Sequence, residues 1–220
     1  MRPVVISKTL AAASATNIAL SQSPGAAGNL TINGAAATSG VATLDTARRV
    51  IITSGGNDTG ITFTVYGTNA YGNAIQEKFA GANTGAASSN LDFLTVTRIA
   101  ISAAAASTVT AGTNGVGSTN WVAVAAAIPT TELSTSVEVT GTINYTVEYT
   151  YQDLNNSPTS PYAYVRDNIV PTVWADSVVA SKTANAVATA TLPIWAARVT
   201  INSGNGTIKA TFIQAGIAGP

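Results

Sequence analysis

Carboxylates, hydroxyls and aromatic rings are the side chains that could do chemistry in this sequence, since it contains neither histidine nor cysteine. Histidine is the commonest general base and metal ligand, and cysteine supplies thiolate nucleophiles, zinc ligands and disulfides. Without them a catalytic triad, a zinc site and a disulfide framework are not expected. We therefore predict no catalytic residues, no metal and no cofactor, and a chain that is not an enzyme.

One carboxylate motif has the composition of a calcium-binding loop. Residues 57–60 read Asn-Asp-Thr-Gly, but the spaced carboxylates of a calcium site are missing, so a turn is the better interpretation. A glycosidase requires two carboxylates that face one sugar bond, and no spacing in the chain indicates such a pair. Four other aspartates are scattered near strand ends or in loops: Asp92, Asp153, Asp167 and Asp176.

Aromatic side chains are concentrated in the second half of the chain: Trp121, Tyr145, Tyr149, Tyr151, Trp174 and Trp195. Together they could form a stacking platform for a sugar, which would make the chain a carbohydrate-binding or adhesin-like module. Aromatic rings also fill protein cores and protein interfaces, and we favour that interpretation. Trp195 lies in an alternating strand and is predicted to be in the core.

Charge is scarce in this sequence. Charged residues make up only 9% of the chain, with ten basic and ten acidic side chains and a net charge of zero, whereas an average soluble domain has roughly 25%. No basic excess can neutralise phosphates, so neither nucleic acid nor a membrane surface is an expected partner. A surface with so little charge is poorly protected against association. We therefore expect contacts with other protein, including other copies of this chain.

The hydrophobic pattern predicts an all-β fold of two β-sandwich domains in series with an extended N-terminal arm. Residues 1–27 have small side chains and a Ser-Pro-Gly break, which favours an arm. In residues 28–114, Ile61, Phe63 and Val65 alternate with polar residues between Gly/Asn turns, which is typical of an Ig-like β-sandwich. The glycine-rich residues 112–117 lack the lysine of a P-loop and are interpreted as a linker.

Residues 115–220 are predicted to form the second β-sandwich, of jelly-roll-like type. A long strand places five apolar or aromatic residues on one face: Ile143, Tyr145, Val147, Tyr149 and Tyr151. A final hairpin turns at residues 203–206. Between these strands, residues 154–171 contain three prolines and form a long loop, and such loops usually carry function or an interface.

The arm and the long loop are the expected contact surfaces. The candidate interface residues are Arg2, Pro3, Val4, Val5, Pro158, Pro161, Tyr162, Tyr164 and Arg166. In addition, one of the two arginines in the short basic pair Arg48-Arg49 is expected to face solvent or a partner.

Several segments resemble small bacteriophage virion structural proteins: residues 139–150 (VTGTINYTVEYT), 171–174 (PTVW), 197–208 (ARVTINSGNGTI), 212–216 (FIQAG), 60–69 (GITFTVYGTN) and 72–75 (GNAI). These are strand-and-turn patterns, and they carry over no catalytic residue. The resemblance implies a protein present in many copies on a capsid, at the head–tail junction or in the tail.

From this resemblance we expect a capsid decoration or cement protein that binds the major capsid protein and other copies of itself. It would be located in the virion, after assembly in the host cytoplasm. A head–tail connector or tail component is the alternative within this class. A carbohydrate-binding or adhesin module is the alternative from another class.

Overall fold

The computed structural model describes residues 3–124, 132–152, 154 and 171–214, and the predicted all-β class is confirmed: this part of the chain contains strands and no helix. Alternating β-branched and aromatic residues favour strands, and frequent glycine, serine and asparagine residues end them. The strands are β1 (Val4–Leu10), β2 (Ser14–Gln22), β3 (Gly28–Asn29), β4 (Ala37–Thr38), β5 (Val41–Asn57), β6 (Thr62–Thr68), β7 (Ala74–Ala80), β8 (Asn83–Ile101), β9 (Val109–Ser118), β10 (Val122–Ala123), β11 (Leu133–Thr150), β12 (Trp174–Ala175), β13 (Ala186–Ala190) and β14 (Ala196–Gln214).

These strands form one hydrogen-bonded antiparallel network with the order β12-β11-β14-β9-β5-β8-β6-β7, and the shorter strands pair beside it. The network folds around two separate hydrophobic cores, which makes it sandwich-like. The two halves of the network are joined where β14 pairs with β9 through Thr200–Ser118 and Ile201–Gly117. The first core is defined here as the one between β5, β6, β8 and β9, and the second core as the one enclosed by β11 and β14.

The first core follows from the alternation along its strands. Ile61, Phe63 and Val65 are buried, whereas Thr62 and Thr64 between them are partly exposed. Each fully buried side chain of this size stabilises the fold by about 1.5–3 kcal/mol relative to an exposed one. The period of two therefore favours the strand conformation, and it also determines which face of the strand points inward.

The second core is enclosed by two long strands, β11 and β14, that pair along their whole length. A register shift between Asn144 and Tyr145 and glycines with positive φ at Gly141, Gly204 and Gly206 interrupt both strands near the middle. On one side of these glycines the strand order is β13-β11-β14-β1, and on the other side β11 and β14 meet β12, β9 and β10. The same two strands thus contribute to both of these groups of paired strands.

The N-terminal residues differ from the predicted arm. Strand β1 pairs with β14, and β2 pairs with β9. Leu10 is buried in the second core, and Ile18 is buried in the first core. The extended conformation was predicted; in addition, these residues complete both cores, because Val4, Ile6 and Leu10 lie on one face of β1 and pack into the second core.

The glycine-rich segment that was interpreted as a linker is part of β9, which pairs with β2, β5 and β14. Its glycines permit close backbone approach: a Cβ atom on Gly112 would lie 1.9 Å from the carbonyl oxygen of Ser14. Glycine within a strand often marks such an approach. The predicted limit between residues 114 and 115 falls inside this strand, and the domain limits 1–27, 28–114 and 115–220 stay a prediction.

Tyr149 links the second core to the segment after β12 through its hydroxyl. Tyr149 Oη donates a hydrogen bond to Asp176 Oδ2 at 2.9 Å, and Asp176 Oδ1 accepts hydrogen bonds from the amides of Val178 and Val179. Burial and the hydrogen bond to Asp176 raise the pKa of Tyr149 above its usual value. Burial likewise raises the pKa of Tyr145.

This shift predicts a loss of stability at alkaline pH. The folded protein holds the Tyr149 proton more tightly than the unfolded chain does, so the stabilisation is complete below about pH 10 and is lost above it. We expect the free energy of unfolding to fall by up to about 1.4 kcal/mol per pH unit for this tyrosine. Tyr149→Phe should remove that contribution and cost about 1–2 kcal/mol at neutral pH. Urea unfolding from pH 7 to 11 measures the pH dependence of the free energy of unfolding and its decrease in Tyr149→Phe at neutral pH.

Tyr151→Phe is the matched control for this measurement, because the Tyr151 side chain is 44% exposed. It should keep most of the decrease in stability with pH, because burial and Asp176 raise the pKa of Tyr149 more than Tyr151 does. Equal slopes for wild type and Tyr149→Phe would contradict the assignment.

Candidate functional site

An uncharged surface lies on the outside of the β13-β11-β14-β1 sheet. We call it the outer face, and it consists of Val5, Ser134, Ser136, Val187, Thr189, Thr211 and Ile213. Directly paired residues share one face of a sheet, and the register aligns Val187, Ser136, Thr211 and Val5 in one row across all four strands. The second row contains Thr189, Ser134 and Ile213.

Three apolar side chains of the outer face are exposed to solvent. Val187 is 57% exposed, Val5 is 55% exposed and Ile213 is 45% exposed. Between them lie only serine and threonine hydroxyls, so the surface carries no formal charge. In the next row on one side, Lys209 and Glu138 pair with each other at 3.2 Å, and on the other side the exposed Glu132 precedes Ser134 by two residues. An uncharged face of short side chains can be buried against another protein without desolvating an ion.

Strand β1 also offers backbone groups. Among the described residues it pairs with β14 alone, so one of its edges carries unpaired amides and carbonyls. Such an edge is a template for a strand from another chain. Lys8 is the one charged residue within β1, and a charged side chain on an edge limits indiscriminate pairing.

The predicted interface residues separate into two groups. Pro3 is exposed, Val4 packs partly against the second core and Val5 belongs to the outer face. The other residues lie outside the described part of the chain: Arg2, Pro158, Pro161, Tyr162, Tyr164 and Arg166. Their role as contact residues stays a prediction.

The tryptophans do not form a flat platform. Trp174 is 46% exposed and contacts Tyr151 edge to face, with ring centroids 4.9 Å apart and planes at 80°. Trp195, predicted to be in the core, is only partly buried and lies immediately before β14. Tyr145 and Tyr149 fill the second core instead. Trp121 lies apart from both groups, in a cleft.

This cleft has a volume of about 110 Å3 and lies where strands of the two cores meet. Its polar and aromatic lining comes from Arg49 in β5, Asp92 in β8, Ser118 in β9, Trp121 before β10 and Arg198 in β14. Arg49 and Tyr71, which also lines the cleft, are 40% and 42% exposed, so the cleft is open to solvent.

Asp92 is the centre of the polar network in the cleft. Its Oδ2 accepts a hydrogen bond from Ser118 Oγ at 2.6 Å, and its Oδ1 lies 3.8 Å from Arg49 Nε. That separation is too long for a hydrogen bond, and both atoms are buried without a hydrogen-bond partner. Burial raises the pKa of Asp92, although Arg198, the Ser118 hydroxyl and Arg49 act in the opposite direction.

Arg198 is held in place from two sides. Its Nε donates a hydrogen bond to Glu148 Oε2 at 2.8 Å, and its guanidinium carbon lies 4.7 Å from the centroid of the Trp121 ring. Tyr71 Oη accepts a hydrogen bond from the Trp121 amide at 2.7 Å, which fixes the ring-bearing segment. The side chains at the cleft are therefore positioned by neighbours before any ligand binds.

These residues were missed by the sequence analysis. Asp92 was placed near a strand end or loop, but it lies inside β8 and faces Arg49 directly in the register. Glu148 and Arg198 are likewise direct partners in β11 and β14. Charged residues inside alternating strands of a chain with so few charges were the available signal. Their pairing required the register, which the sequence pattern does not specify.

The other motifs have structural roles. Residues 57–60 form a turn, in which Asn57 Oδ1 accepts hydrogen bonds from the amide and hydroxyl of Thr59. Asp58 Oδ1 accepts a hydrogen bond from the Ala106 amide at 2.8 Å, so the carboxylate fastens a neighbouring loop. Within the described residues, no group of three or more acidic side chains could hold a metal ion.

Comparison with known proteins adds no relative: no family model, no curated protein and no solved structure matches this chain. In the described part of the chain, no helix has the length and apolarity needed to cross a membrane.

Proposed function

We propose that this chain is a non-enzymatic structural protein of a bacteriophage virion, which decorates the capsid and stabilises the head by protein–protein contacts. The observation that carries this proposal is the outer face, where Val5, Val187 and Ile213 are exposed on one face of a sheet without formal charge between them. The resemblance of the strand-and-turn segments to phage virion proteins supports it. The partners would be the major capsid protein and other copies of this chain.

The mechanism would be adhesion. Apolar surface removed from water contributes roughly 25 cal/mol per Å2, and the serine and threonine hydroxyls between the apolar side chains can hydrogen-bond to a partner's backbone. The unpaired edge of β1 borders the same face, because Val5 belongs to both. A partner could therefore pair with the edge and cover the face in one contact.

Binding to capsids that lack the protein tests the proposal. Purified protein is mixed with such capsids, and the particles are sedimented and imaged by cryo-electron microscopy. Regular density on the lattice is the expected result. Density confined to the head–tail junction or the tail would assign the chain to a connector or tail role, and absence of binding to any virion part would overturn the proposal.

A charge placed on the outer face should weaken this binding. Val187→Lys introduces an ammonium group that would lose its water in the contact, and we expect the affinity for capsids to fall at least about tenfold, which corresponds to about 1.4 kcal/mol. Co-sedimentation at increasing protein concentration measures the effect. Leu20→Lys is the matched control, since Leu20 is 48% exposed on β2, away from the outer face. Equal loss in both variants would show that the outer face is not the contact.

A further inference from the structure

We propose that the cleft between the two cores binds a neutral polyhydroxylated ligand, namely a single saccharide unit. This inference goes beyond the proposed adhesion of the chain to a capsid and uses a different surface. It rests on three properties of the cleft: its balanced charges, its pair of unpartnered buried polar atoms and its combination of rings with apolar side chains.

The charges at the cleft favour a neutral ligand. Arg49, Arg198 and Asp92 line the cleft, and Glu148, which does not line it, neutralises Arg198 through their ion pair, so the four groups sum to zero. Arg198 and Glu148 are committed to each other at 2.8 Å. A cationic ligand would be repelled by the arginines and an anionic ligand by the buried Asp92 carboxylate, whereas an uncharged ligand meets neither penalty.

The two unpartnered atoms require a group that both donates and accepts. Asp92 Oδ1 needs a donor, and Arg49 Nε–H needs an acceptor. The atoms are 3.8 Å apart and are closed to solvent as they stand. An oxygen that entered between them, with a small outward shift of the exposed Arg49 side chain, would lie about 2.8 Å from each of them, which is normal hydrogen-bond geometry. A hydroxyl group meets both requirements at once. An ether, a carbonyl or an ammonium group meets only one.

The remaining lining suits the carbon skeleton of a sugar. Trp121, Tyr71, Ile75, Leu91 and Pro171 provide apolar surface, while Asn69 and Asn90 provide further polar groups. A cavity of about 150 Å3 holds a benzene molecule, so an open cleft of about 110 Å3 accepts part or all of one six-membered ring. A larger oligosaccharide would extend into solvent past Arg49 and Tyr71.

Saturation-transfer NMR on the full chain tests the proposal, with glucose, galactose and N-acetylglucosamine as probes and with sodium acetate and methylammonium as charged comparisons. We expect transfer to at least one sugar and none to the ions. In Asp92→Asn, the amide presents a donor where the hydroxyl needs an acceptor, so affinity should fall about tenfold or more. Arg49→Gln should show a similar loss, and its exposed side chain makes unfolding of this variant unexpected.

Trp174→Ala is the matched control, because it removes an exposed ring outside the cleft. Unchanged sugar binding in this variant supports the cleft, and loss of binding would move the site to Trp174 and Tyr151. Transfer to no sugar, or undiminished transfer in both cleft variants, would overturn the inference and leave only bound water at Asp92. Capsid binding by Asp92→Asn should stay at the wild-type level, so this result is separate from that of the capsid experiment.

Discussion

Replacement of Arg48 by methionine is expected to lower the free energy of unfolding by about 3–5 kcal/mol. Arg48 is the largest fully buried side chain among the described residues, at 1% exposure. Its Nη1 donates hydrogen bonds to the carbonyl oxygen of Ala11 at 3.0 Å and to Asp45 Oδ2 at 3.1 Å, and its Nη2 donates to the carbonyl oxygen of Asn114. The guanidinium thus ties together the β1–β2 connection, β5 and β9.

The cost of this substitution comes from the groups left behind. Methionine fills much of the same space, but it removes the donor of two backbone carbonyls and the cationic partner of Asp45, which keeps the amides of Ala11 and Thr46 as donors. Buried groups that lose their partner cost about 1–3 kcal/mol each. Chemical denaturation followed by tryptophan fluorescence measures the change. Lys209→Met is the control, because the Lys209–Glu138 pair is exposed and surface pairs contribute about 0–1 kcal/mol. A similar decrease in the free energy of unfolding in the two variants would show that the hydrogen bonds of Arg48 stabilise the fold no more than a surface ion pair does.

Replacement of Gly204 by alanine is expected to destabilise the second core by about 4 kcal/mol. Gly204 has a φ of +103°, and a Cβ atom built on it would lie 1.6 Å from the carbonyl oxygen of Thr142. The conformational cost is about 1–3 kcal/mol and the overpacking cost is of similar size. Because β11 and β14 are paired at this point, the backbone can relieve the overlap only by breaking the pairing.

Gly72→Ala separates the two contributions. Gly72 has a comparable φ of +80°, but a Cβ atom there meets nothing within 4 Å. This variant should therefore show only the conformational cost, about 1–2 kcal/mol. Urea unfolding of both variants gives the comparison. An equal decrease in the free energy of unfolding at the two positions would show that the backbone of β11 does not exclude a Cβ atom at residue 204.

The strands with clear alternation were predictable from the sequence because burial on one face requires a period of two. The predicted shared face of Ile143, Tyr145, Val147 and Tyr149 is confirmed, and all four are buried. Tyr151 was included in that face, but β11 ends at Thr150 and Tyr151 is exposed. A period of two shows which residues can share a face, not where the pairing stops.

The glycine-rich and alanine-rich segments could not be interpreted in the same way. Glycine permits flexible linkers and close-packed strands alike, and only the neighbouring backbone of Ser14 distinguishes them at Gly112. The cleft was unpredictable for a related reason. Arg49 and Asp92 are far apart in the chain, and their pairing depends on a register that contains several shifts. Patterns along one strand do not specify such shifts between two strands.

The pairing of β1 with β14 has a consequence for biosynthesis. Val4 pairs with Phe212, so β1 leaves the ribosome about 200 residues before the part of β14 with which it pairs. At about 5–20 residues per second, this wait lasts roughly 10–40 s. The first core draws on residues 18–111 and can form during that time, whereas the second core must acquire both of its long strands first. Distant pairings of this kind fold slowly, so the nascent chain would expose Val4, Ile6 and Leu10 until β14 has been synthesised.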